Sequence, residues 1–249
     1  MERMIRILCW CCMLSSSLDA DAFCQQPLTL VYTGDWPPYF FRVNDSTYSG
    51  TDKVLLESAL AKMGCHLEIL PLPEKRVEMA LRSGQADVVI AASKNPKRQQ
   101  QFWFSAPYRQ QHNVLVYRTD VVLPENQGSV RSWLERGWLI ALNGGGWFGN
   151  EIEQLKHSRL GVSLLHVESF GSRLDMLRLG RIDGFIDDSL AVQVRIREEN
   201  LTDLRILDKP VHVTPQHFMF SRARLDTEFI DAFNQILGKI TEVQKLPEI

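Results

Sequence analysis

Blocks of like charge, long apolar runs and clustered metal-binding side chains are all scarce in this sequence. Its 249 residues carry 28 Lys and Arg against 30 Asp and Glu, a formal charge of −2. The basic residues are scattered, with no Lys/Arg run interleaved with aromatics, so the electrostatic footprint of a nucleic-acid or anionic-membrane binder is missing. No run of apolar residues is long enough to span a bilayer. His66, His112, His157, His166, His212 and His217 stand apart, and no His, Cys or carboxylate cluster has metal-ligand spacing, so no metal is expected. There is no Gly-x-Ser-x-Gly elbow, and the Gly144–Gly146 run is not followed by the Lys-Ser/Thr of a phosphate loop, so no nucleotide cofactor is expected either. No repeat with a period of 20 to 50 residues appears. What is present, 45% hydrophobic and 23% charged residues, suffices for a buried core in one large domain or two lobes of about 100 residues each.

The N-terminus reads as an export signal, residues 1–22. Arg3 and Arg6 give a basic start, Ile7 to Leu14 a short apolar stretch, and Ala20-Asp21-Ala22 the small residues a signal peptidase requires. Export to the periplasm places the chain in an oxidising compartment, and Cys9, Cys11 and Cys12 would leave with the signal. Cys24 and Cys65 remain, which suggests one disulfide. They precede the first and second expected strands, and parallel neighbouring strands would bring them within bridging distance. Two independent buried thiols, or acylation of Cys24, are the alternatives; Phe23 stands where lipoprotein signals usually carry a small residue.

Periodicity and turn residues give an α/β pattern. Strands are expected at Leu28 to Tyr32, His66 to Leu70 and Asp87 to Ala91, with helices from Thr51 to Met63 and from Glu74 to Ser83 between them. The second half repeats the alternation: strands at Trp138 to Leu142, Val162 to His166 and Gly184 to Ile186, and helices at Asn150 to Lys156 and Ser172 to Leu179. This predicts two α/β lobes, each a mostly parallel sheet flanked by helices. Extended apolar runs at Asn113 to Tyr117 and His217 to Ser221 carry the chain between them twice, so lobe 1 is expected to comprise residues 23–114 and 219–249 and lobe 2 residues 115–218. The last helix, Thr227 to Thr241, must return to lobe 1. Ligands of open α/β sheets bind beyond the carboxyl ends of the strands, here near Thr33 to Pro38, Ala91 to Arg98, Asn143 to Trp147 and Asp187-Asp188.

Those segments carry a recognisable order of motifs: Trp36-Pro37-Pro38-Tyr39, Gly50-Thr51-Asp52, Ser83-Gly84-Gln85-Ala86-Asp87, Ser93 with Lys97-Arg98, Phe104-Ser105-Ala106-Pro107-Tyr108 and Gly180-Arg181-Ile182-Asp183-Gly184. In that order and spacing the chain resembles the bacterial extracellular solute-binding proteins of the polar amino-acid type, with the periplasmic-binding-protein fold. The resemblance implies that Arg98, whose planar fork suits a carboxylate, and Ser93 hold a solute carboxylate. It further implies that Asp188, with Asp187 the adjacent alternative, receives the α-ammonium, and that Trp36 lies against the solute. Where the family loop carries hydroxyl residues, this chain has glycines, so Gly145 and Gly146 would offer backbone N–H groups instead.

The resemblance thus implies a monomeric binding protein without cofactor or catalysis, which captures an amino-acid-like solute for an ABC-type permease. Two other readings remain open: a ligand sensor that signals to a membrane partner, and a small-carboxylate dehydratase on the same fold using Asp187 or Asp188.

Overall fold

The computed structural model describes residues 23–123 and 128–244; the expected export signal, 1–22, lies outside the described residues. Lobe 1 is built from β1 (Leu28–Tyr32), a two-strand ribbon of β2 (Phe41–Arg42) and β3 (Tyr48–Ser49), α1 (Thr51–Ala61), β4 (Leu67–Pro71), α2 (Val77–Ser83), β5 (Val88–Ser93), α3 (Pro96–Gln99) and β6 (Phe102–Phe104). The chain leaves along β7 (Arg109–Arg118) and forms lobe 2 from α4 (Val130–Glu135), β8 (Ile140–Leu142), α5 (Asn150–Lys156), β9 (Leu164–His166), α6 (Phe170–Arg178), β10 (Gly184–Asp188), α7 (Ser189–Glu198) and β11 (Leu204–Ile206). It returns along β12 (His212–Ser221) and ends in α8 (Thr227–Gln244).

One sheet runs through both lobes in the order β4-β1-β5-β12-β7-β10-β8-β9, with β6 added on β12 and β11 on β7. Pairing is parallel within the β4-β1-β5 and β10-β8-β9 groups and antiparallel across β5-β12-β7-β10. Each strand alternates its buried side chains between two faces. In lobe 1, Leu30, Val88, Phe218 and Phe220 face one core while Val31 and Met219 face the other. In lobe 2, Leu115, Ile140 and Ile186 face one side while Val116, Ala141 and Phe185 face the opposite one. Every core cluster draws on a single lobe, so the two bodies hold together internally and meet over a polar gap. Helix α8 packs on lobe 1 through Phe229, Ile230, Phe233 and Leu237.

Several boundaries moved for local reasons. The second strand of lobe 2 begins at Leu164, because Arg159–Ser163 forms a 3-10 turn that leaves Val162 exposed. The first begins at Ile140, while Trp138 stacks on Trp133 of α4. The sequence reading did not anticipate β6, α4 or β11. Gly50 sits at φ 124, and a Cβ there would meet the backbone of Phe40 at 2.6 Å; the missing side chain lets the Tyr39–Phe40 segment lie on the N-terminus of α1.

Cys24 and Cys65 form a disulfide with Cα atoms 5.1 Å apart, at the paired starts of β1 and β4, where Leu28 faces Leu67. A sulfur so bonded is unavailable for acylation. The bridge closes a loop spanning 41 residues, so the double variant Cys24→Ser/Cys65→Ser should lose about 4 kcal/mol of unfolding free energy in urea.

His212 and His217 both lie on β12, and burial pushes each below the ordinary histidine value. His217 Nδ1 lies 2.7 Å from the Ser105 carbonyl oxygen, so the neutral ring carries its proton there. With depressed folded values, their contribution to stability is present above the unfolded histidine value, about 6.5, and is lost as pH falls through the folded ones. Urea midpoints measured at pH 7.5 and 5.5 should therefore fall further for the native chain than for His212→Gln/His217→Gln.

Candidate functional site

The carboxyl ends of the strands of both lobes face each other across a cleft of about 850 Å³, within the size range of small-ligand sites. Trp36, Ser93 and Arg98 line it from lobe 1, and Gly145, Gly146 and Asp187 from lobe 2. Among the described residues no group of three His, Cys, Asp or Glu could hold a metal ion.

Each of these residues is placed by its element. Ser93 ends β5, is 6% exposed, and accepts a 3.4 Å hydrogen bond from Gln216 Nε2 on β12. Two residues earlier, Ala91 adopts φ 53 beside the register shift of β12 between His217 and Met219, a strained backbone on the cleft wall. Trp36 lies 4.6 Å from the Tyr39 ring and 5.2 Å from the Arg109 guanidinium. Arg98 belongs to the short helix α3, which is capped by Asn95 at 2.9 Å. Its Nε donates to Glu78 at 2.9 Å, and its Nη2 crosses the cleft to the Gly145 carbonyl at 3.1 Å.

The glycine loop donates elsewhere than into open cleft. Gly146 N–H donates to Asn143 Oδ1 at 2.9 Å. The Glu74 carboxylate lies against Gly145. A Cβ on Gly145 would come within 2.6 Å of Glu74 Cδ, so that the flexible Glu74 side chain would have to move, and one on Gly146 would come within 2.6 Å of Phe148 Cε2. Trp147 also lines the cleft and meets His212 edge to face at 5.0 Å.

The two adjacent aspartates have separate tasks. Asp188, assigned above to a solute ammonium, is 2% exposed and absent from the cleft lining. It caps α7, accepting from Ala191 N–H at 2.9 Å, and accepts Tyr39 O–H across the lobes at 2.8 Å. Alternation along β10 turns Asp187 to the cleft instead, where it pairs with Arg173 of α6. Arg173 also donates to the carbonyls of Val167 and Glu168 at 2.7 and 2.8 Å, and its buried Nε has no partner. Asn113 Nδ2, on β7, is likewise buried, cleft-lining and unpartnered.

Behind the cleft a polar relay joins the lobes. Asp52, at the head of α1, takes Arg109 Nε at 3.0 Å and Tyr108 O–H at 2.7 Å. The Arg109 guanidinium lies 3.7 Å from the Tyr39 ring centre, a close cation–π contact, and Tyr39 reaches Asp188. Burial pushes the Asp52, Asp188 and Tyr39 groups above their ordinary values, with Arg109 opposing each shift. Sequence reasoning missed Glu74, Glu78, Arg173 and this relay. Only the first two left a signal, the four-residue spacing of two acids at the head of a helix.

The family model of bacterial extracellular solute-binding proteins, family 3, matches residues 28–249. A probable amino-acid ABC transporter-binding protein of Haemophilus influenzae is 22% identical over 218 residues, 87% of this chain and 80% of that protein. The virulence sensor protein BvgS of Bordetella pertussis is 24% identical over 217 residues; the match spans 86% of this chain but 16% of the sensor. Among solved structures, a histidine kinase sensor domain with similarity to periplasmic binding proteins has a TM-score of 0.75 at 21% identity, covering 88% of this chain and 92% of that one, a likeness of fold.

Removing the Asp188 carboxylate uncaps α7 and strands the Tyr39 hydroxyl. Asp188→Ala should lower unfolding free energy by about 2 kcal/mol, read as the shift of the urea midpoint; an unchanged midpoint would show that neither contact matters.

Proposed function

The chain belongs to the bacterial extracellular solute-binding proteins of family 3, and on that premise we propose that it captures a small amino-acid-like zwitterion in the interlobe cleft. The observation that carries this reading is the pairing of opposite charges across one small cavity: Arg98 on lobe 1 and the Arg173–Asp187 pair on lobe 2, beside the flat face of Trp36. Acidic and basic side chains line the cavity in equal number, which suits a solute of no net charge bearing both signs. Arg98 and Ser93 serve the carboxylate, and Asp187 takes the ammonium role that Asp188 cannot fill while it caps α7. Asn113 Nδ2 and Arg173 Nε supply two further donors.

Binding, closure and recognition of the closed shape in the periplasm by a membrane partner form the proposed cycle, with the chain acting as a monomer and making no covalent change to its solute. A dehydratase reading is disfavoured because Asp187 is ion-paired and Asp188 is hydrogen-bonded on two sides, so neither is free to move protons. The partner is either a permease or a signalling receptor. Likeness to an amino-acid ABC transporter-binding protein supports the first, and likeness to a virulence sensor supports the second.

The test is thermal unfolding against a panel of amino acids and small organic acids. A bound amino acid at 100 times its dissociation constant should add about 2.7 kcal/mol, and Arg98→Ala and Asp187→Ala should each weaken the response. A panel in which no zwitterion shifts the transition, or a response that survives Arg98→Ala, would sink the reading.

A further inference from the structure

Two carboxylates of this chain sit where a solute carboxylate is expected. Glu74 opens the 3-10 turn Glu74–Arg76, and Glu78 lies in the first turn of α2 that continues from it. Four residues apart on one helical stretch, they project from the same face. Glu74 crosses to lobe 2, where its carboxylate rests against Gly145. Glu78 holds Arg98 Nε at 2.9 Å, and Arg98 completes the circuit with its bond to the Gly145 carbonyl. Arg98 and Gly145 are the groups assigned to the solute carboxylate, one on each lobe. Each is matched by an acid from a single turn of helix.

We infer that Glu74 and Glu78 act as a built-in dicarboxylate ligand that holds the lobes closed in the absence of solute, so that a solute carboxylate enters only by displacing Glu74. This rests on the reading of the cleft as a carboxylate site. A tethered group competes at high effective concentration, and the affinity of the free solute falls by the fraction of molecules in which the site is open. The occupant is nonetheless displaceable. Burial and the neighbouring Glu168 both disfavour the ionised Glu74 carboxylate, while Arg98, Arg173 and the Gly145 backbone favour it. The nearby Lys75–Glu168 pair, 3.3 Å long and 79% and 49% exposed, contributes little beside this latch.

The test is small-angle X-ray scattering without solute, on protein purified after expression of the full sequence, comparing the native chain with Glu74→Gln/Glu78→Gln and with Gly145→Ala, which evicts Glu74 from the opposite lobe. The native chain should be the most compact, and both variants should shift to a larger radius of gyration. In a parallel titration with glycine, Glu74→Gln/Glu78→Gln should bind at least about tenfold more tightly than the native chain, whereas Gly145→Ala, whose Cβ takes up the place of any carboxylate at that position, is read by scattering alone. A native chain as expanded as its variants would overturn the latch, and so would a Glu74→Gln/Glu78→Gln chain unchanged in both size and glycine affinity. If neither chain binds glycine or any member of the amino-acid panel, the capture reading fails while the scattering comparison still decides the latch.

Discussion

The pairing of β7 with β12 is the constraint on which the rest of the molecule depends. The two strands run antiparallel with Arg109 to Asn113 opposite His212 to Gln216, and beyond that stretch each continues into a different lobe. Their composition is built for this. In β7 the polar half, Arg109 to His112, precedes the buried run Val114 to Tyr117; in β12 the polar half precedes the buried run Phe218 to Phe220. Antiparallel pairing lays the polar halves side by side over the gap between the cores and sends the apolar halves apart. Pro215 is tolerated opposite Gln110 because β5 joins β12 only from Gln216 onward, so the missing N–H breaks no second ladder.

Everything polar that matters gathers around this crossing. Asn113 and Arg109 are residues of β7 itself, Gln216 and His212 of β12, and Ser93 and Asp188 end the strands that flank them. Low dielectric makes an unpaired charge there expensive, so almost every ionised group is held by another: Arg109 by Asp52, Arg173 by Asp187, Arg98 by Glu78. On the proposed reading, a solute entering a cleft satisfied in this way must replace existing bonds atom for atom. An imperfect substitute leaves buried donors or carboxylates without partners.

The relay behind the cleft and the acids within it join the two lobes from opposite sides. Tyr39–Asp188 spans the lobes near the hinge, while Glu74 and Arg98 span them through Gly145.

The α/β alternation, the exact span of β1 and α5, the disulfide partners and the family motifs were legible in the sequence, because each depends on neighbours along the chain: period, turn residues, short spacing. The crossing strands were only half legible, since Asn113 to Tyr117 and His217 to Ser221 announce themselves as apolar while the polar halves are stabilised by each other. Trp36, Ser93, Arg98, Gly145 and Gly146 could be placed on one cleft by order alone. Which of Asp187 and Asp188 faces it, and that Glu74 and Glu78 reach Gly145 and Arg98, were decided by the tertiary structure. Those outcomes turn on which face of β10 meets α6 and on how near one lobe stands to the other, and no periodicity within a single element encodes the distance between two bodies.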